Sequence, residues 1–145
     1  MSQFIMPQEI SLKGFEIVSG TLFRHCPKTS EPSCTLWSTS ISFSKSSILA
    51  LNCCEYILLR VNNETKSLLI SPIPSTDKNA FSWSKGKQNL VAKKIDCKAF
   101  TSQLFEDWGL DPKHVYRAYG HIVMSDQKVM LYYDFTKAEY WDLKN

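Results

Sequence analysis

Five cysteines and three histidines are the side chains of this sequence best suited to metal or nucleophilic chemistry. His25 and Cys26 open the segment HCPKTSEPS, and Cys34 follows directly after it. Zinc takes sulfur and nitrogen ligands in tetrahedral geometry, and a polar loop with little core of its own gains order from such an ion. His25, Cys26 and Cys34 therefore form the candidate metal set, with a fourth ligand drawn from Cys53, Cys54 or Cys97. Against it stand the missing Cys-x-x-Cys pairs and the adjacency of His25 and Cys26, which sends neighbouring side chains in different directions. Unmetallated thiols with no cofactor are the competing reading, since an odd number of cysteines suits a reducing compartment. His114 and His121 flank a strand-like segment, where an exposed polar role competes with that of a general base.

Hydrolase, kinase, nucleotide-binding and deaminase signatures are absent from the sequence. Lys85-Gly86-Lys87 lacks the surroundings of a phosphate loop. Glu106-Asp107, a close pair of acids, falls near the end of a helical pattern, where solvent exposure is the plain reading. The expectation is a protein that is not an enzyme. Binding has better candidates: Lys85, Lys87, Lys93, Lys94 and Lys98 crowd into fourteen residues interrupted by one acid, Asp96. Such a run suits an acidic partner or phosphate, or is an ordinary solvated face. Tyr116, Tyr119, Tyr132 and Tyr133, beside Lys113 and Arg117, offer rings on which bases can stack, although sheet packing explains the same residues.

The overall balance narrows these choices. Lys and Arg number 17 against 14 Asp and Glu, a mild excess that by itself does not imply nucleic-acid binding. A length of 145 residues with 43% apolar content suits one domain with a core large enough to need no disulfides. The opening MSQFIMPQEISL lacks the basic start and apolar run of a signal peptide, and no stretch reaches the roughly 20 apolar residues of a membrane span. A cytoplasmic protein without membrane contact is the expectation. Asn63-Glu64-Thr65 has the form of a glycosylation acceptor but reads as an unmodified turn in that setting.

The elements that must position these residues are legible in outline. Residues 1–11 read as an arm, and Phe15, Ile17 and Val18 as part of a first strand. Leu36, Ile41 and Phe43 suggest a strand or small hairpin; Ser44 then caps a short helix, Lys45 to Leu51, which Asn52 ends. EYILLRV and KSLLISPI are strand-like runs around a polar turn, closed by Pro72 and Pro74. Residues 75–92 form an irregular bridge in which Phe81 and Trp83 are anchors; its length marks either a missed strand or a binding loop. Leu90 to Cys97 reads as a strand. Phe100, Leu104 and Trp108 recur every four residues along a helix that Gly109 stops. Val115 to Met124 and Lys128 to Phe135 read as two further strands, and Ala138 to Leu143 as a last strand or helical turn. The predicted fold is α+β: one compact domain, residues 1–145, with a mainly antiparallel sheet and two successive β-α-β-β units, at 36–73 and 90–135, joined by the bridge. Duplication of one unit and independent convergence on the same order both remain open.

The stretch from about Ile41 to Trp141, with its ordered succession EYILLRVN, NAFSW, FEDWG and YRAYG, resembles a group of small proteins encoded by Gram-positive bacterial phages and integrative elements. The paired Cys53-Cys54 and the loop from His25 to Cys34 depart from that group. The resemblance supplies no catalytic residues. It implies a protein that regulates element genes or blocks host defence by occupying a surface. The leading expectation is a non-catalytic inhibitor of a host defence protein such as a Cas nuclease, an anti-CRISPR protein obstructing guide or target-DNA loading. Its contact surface would be Lys85, Lys87, Lys93, Lys94 and Lys98. The alternative is a DNA-binding regulator or accessory protein of the element, with the same lysines on phosphates.

Overall fold

A computed structural model describes residues 8–19, 31–85 and 91–144. Its framework is two hairpins built on the runs richest in β-favouring side chains. Strand β3 (Tyr56–Asn62) pairs antiparallel with β4 (Ser67–Pro72), in register from Asn62 opposite Ser67 to Ile57 opposite Pro72. Asn62 shapes the turn, its Oδ1 accepting the N–H of Glu64 at 3.0 Å and of Thr65 at 3.2 Å, the local bonding that makes Asn a turn residue. Strand β7 (His114–Ser125) pairs with β8 (Lys128–Asp134) across Asp126 and Gln127. Both turn residues are left-handed, φ 50° and 64°, the geometry whose twist matches a two-residue hairpin loop.

Each hairpin is preceded by a strand and a helix. In the first unit, β1 (Ser33–Leu36) and β2 (Ser40–Phe43) lead into α1 (Lys45–Ala50). Ser44 caps α1, its Oγ accepting the Ser47 N–H at 3.2 Å and the Ser33 N–H at 2.8 Å, so one side chain starts the helix and ties it to β1. Asn52 and Cys53 then turn left-handed, φ 56° and 58°, and the Cys53 N–H returns to the Ile48 carbonyl. Cys53 and Cys54 thus sit in the turn that ends α1. In the second unit, β6 (Ile95–Asp96) precedes α2 (Lys98–Trp108), which Gly109 closes at φ 68°. Its N–H, with that of Leu110, bonds the last carbonyls of the helix.

The strands form one curled, largely antiparallel sheet in the order β5-β3-β4-β8-β7-β1-β2-β6, where β5 is Phe81–Ser82. The N-terminal part of β7 also pairs with β9 (Glu139–Asp142), which follows β8 along the same edge after a 3₁₀ turn at Phe135–Lys137. The units meet through equivalent strands: β4 pairs with β8, and β2 with β6, both antiparallel. Ile41 lies directly opposite Ile95, the arrangement that a two-fold relation between the units requires. The fold is therefore α+β, with two helices against a curled sheet built from β-α-β-β units.

Both helices lie on one face of the sheet. Ile48 and Leu51 from α1, and Leu104, Phe105 and Trp108 from α2, share a core with Phe43, Ile57, Ile70, Leu131 and Tyr133. Removing each large side chain from water contributes about 1.5–3 kcal/mol. Trp83 fills the centre, its ring 5.5 Å from that of Phe43 and its N–H donated to the Cys54 carbonyl at 2.7 Å. Tyr133 is the polar member of the core: its hydroxyl donates to Ser47 Oγ, which donates to the Ser33 carbonyl. Gly120 lets the sheet close at this point, since a Cβ there would come within 2.7 Å of the Tyr133 ring.

Several expectations need correction. Phe15, Ile17 and Val18 are exposed and belong to no strand. The bridge at 75–92 holds β5, which adds to the edge of β3, and a single bridge between Ser84 and Ala92. The strand read over Leu90 to Cys97 is regular only at Ile95–Asp96 among the described residues. Of the two readings of Ala138 to Leu143, the strand holds, as β9, and the 3₁₀ turn at Phe135–Lys137 precedes it. Among the described residues, no helix is long and apolar enough to cross a membrane.

Candidate functional site

The two ends of the curled sheet face each other across a groove of about 690 Å³. Leu58, Leu59 and Phe81 line it from the β3–β5 end, and Ile41, Ile95 and Phe100 from the β2–β6 end and α2. Asn79, Ser82 and Lys93 supply polar groups to an otherwise apolar wall. The volume and composition are those of a binding site: mostly apolar, with a few polar groups to orient what enters. Cys97 contributes a thiol whose pKa is raised, first by burial and then by Asp96, so at neutral pH it is protonated and adds no negative charge. Lys93 is the charged residue among the described groove walls.

The lysine run divides at this point. Lys93 lines the groove, whereas the Nζ of Lys94 lies 4.4 Å from the ring centre of Trp37 in a cation–π contact. Lys98 is exposed at the start of α2, and Lys85 is exposed just after Ser84. Lys87 lies outside the described residues.

The candidate metal ligands do not come into view as a set, because His25 and Cys26 lie outside the described residues. Cys34 is fully buried in β1, and burial holds its thiol well above the usual range. Burial likewise raises Cys54, to about 11. Cys53 is exposed. Among the described residues, no group of three His, Cys, Asp or Glu side chains is placed to hold a metal ion.

The histidines and tyrosines sort by face. His114 lies 3.1 Å from Asp142 and 4.0 Å from Asp111 and stacks on Tyr140 at 5.0 Å, which fastens β9 to β7. Tyr116 packs edge-on to Phe105, and its hydroxyl accepts the Asp111 N–H at 2.9 Å. Tyr133 is in the core. Tyr119 and Tyr132 instead stand with His121 around a recess on the opposite face of the sheet. Glu106 and Asp107 are exposed on α2, as the sequence suggests. Asn63 is occupied, its Oδ1 accepting the indole N–H of Trp108 at 2.8 Å.

Of the groove walls, the sequence singled out Lys93 as a contact residue but not the apolar residues as a binding surface. One signal was present in Ile57-Leu58-Leu59, where apolar residues fall on both faces of a strand and so call for cover on both sides. No protein-family model, curated protein or solved structure matches the chain.

Proposed function

We propose that the protein works by binding, as a stoichiometric inhibitor of a host defence protein in the cytoplasm of the bacterial cell. Its concrete form is an anti-CRISPR protein that obstructs guide or target-DNA loading by a Cas effector. The observation that carries the binding part is the groove between the sheet ends: apolar walls with Lys93 among them suit an apolar side chain flanked by a carboxylate. The defence target follows from the resemblance to proteins of phages and integrative elements.

The test is direct. Excess protein is added to reconstituted Cas effectors from Gram-positive hosts, and target-DNA binding and cleavage are followed. Inhibition is expected to saturate near one-to-one. Ile95→Glu and Lys93→Glu, each altering a groove wall, should raise the inhibitory concentration by about tenfold or more. Unchanged DNA binding and cleavage across those effectors would overturn the proposal.

A further inference from the structure

A second surface carries binding chemistry of another kind. Because both helices pack on the core face of the sheet, the alternate residues of β4, β7 and β8 point the other way, where no helix among the described residues covers them. Tyr119 and His121 are neighbours on that face of β7. Tyr132 on β8 lies directly opposite His121, with the two ring centres 5.5 Å apart. Together with Asp134 and Lys137 they surround a recess of about 350 Å³. None of these residues lines the apolar groove.

Three features give this face its specificity of chemistry. The rings are spaced by the sheet itself, about 7 Å along a strand and about 5 Å across to the next. Gly120 keeps Tyr119 and His121 at this place, because a side chain there would collide with Tyr133 beneath. The charge is also weighted towards cations. Arg60, Arg117 and Lys128 stand at positions of the same face, and Lys137 at the recess, against Asp134 and Glu139. Both acids are already engaged: Asp134 Oδ1 accepts the Thr136 N–H at 2.9 Å and its hydroxyl at 2.6 Å. Glu139 accepts the Tyr119 hydroxyl at 3.1 Å and lies 3.7 Å from Arg117. Arg117 is thereby engaged too, donating to Thr35 Oγ1 at 3.3 Å and lying 4.8 Å from the Trp141 ring centre, so Lys128, Lys137 and Arg60, which donates to Ser71 Oγ at 3.2 Å, carry the excess positive charge.

We propose that this outer face binds single-stranded nucleic acid, with unpaired bases stacking on Tyr119, His121 and Tyr132 and phosphates meeting Lys137, Lys128 and Arg60. Aromatic side chains on an open sheet accept splayed bases of any sequence, and cations beside them follow the backbone. A duplex keeps its bases stacked on one another and cannot use the rings. The lysine run plays no part, so this site stands or falls independently of the groove.

The experiment is fluorescence anisotropy of the full chain with labelled 15-nucleotide DNA and RNA single strands of mixed sequence, at several salt concentrations, with duplex DNA as competitor. Tyr132→Ala and His121→Ala should each weaken binding by roughly 5- to 100-fold, and Tyr132→Phe should preserve it. Lys137→Gln should reduce the slope of log affinity against log salt by about 0.7. The DNA and RNA arms decide which strand is preferred. Photocrosslinking of an iodouracil-bearing strand to the unaltered chain provides a readout independent of variant folding, with adducts expected at Tyr119, His121 or Tyr132. Failure to bind either strand at tens of micromolar, equal competition by duplex, adducts confined to other residues, or alanine variants that fold and bind as the parent does would each overturn the proposal.

Discussion

Burial, more than sequence neighbourhood, sets the chemistry of the cysteines. Cys34, Cys54 and Cys97 all have thiols raised by desolvation, because a thiolate in an apolar setting loses its hydration. The direction has a consequence for stability. A thiol whose folded pKa lies above its unfolded value of 9.0 contributes fully below that value, and the contribution is lost as the pH rises towards the folded value, about 11 for Cys54. Urea denaturation is therefore expected to show stability falling between pH 9 and 11, and Cys54→Ala should make that fall shallower. An equal slope in the variant would show that Cys54 titrates alike in the folded and unfolded chain. Cys53 and Cys54, adjacent in sequence, differ because the left-handed turn after α1 leaves the first outside and tucks the second against the core.

At the scale of elements, the two helices end and begin through different devices. Ser44 satisfies the N–H groups of both Ser47 and Ser33, so its hydroxyl serves helix and sheet together. Ser44→Ala is expected to cost about 1–2 kcal/mol, read from chemical denaturation. Gly109→Ala should cost about 1 kcal/mol, because a Cβ is strained at φ 68° even though the space around it is open. These residues were readable in advance, since a cap and a stop are local chemistry. The short β5 and β6 were not. Their pairing partners, β3 and β2, lie far away in the chain, and two-residue strands leave too little periodicity to read.

Across the whole molecule, stability depends on joining the units. Leu68 and Ile70 on β4 and Leu131 and Tyr133 on β8 are fully buried where the hairpins pair. A fragment carrying only 31–85 would expose that seam, together with the side of the core that α2 covers. It is expected to lack a cooperative thermal transition, whereas the full chain melts as one unit; a sharp transition in the fragment would show that each unit folds alone.

By itself, the sequence determined the elements whose signals lie within a few residues of one another: the helix Lys98–Trp108 and its glycine stop, the cap at Ser44, the two hairpins, and the repeated β-α-β-β order. It also limited the candidates for binding to a lysine run and a set of tyrosines. Tertiary structure decided which of these share a surface. It sent Tyr133 inward and Tyr119 and Tyr132 outward, turned Lys93 to the groove and Lys94 to Trp37, and made a groove from leucines and phenylalanines that had looked like core. The reason is physical. A strand's periodicity says that its side chains alternate, but only the partner strands and the curl of the sheet determine which side becomes the interior and which residues meet where its ends converge.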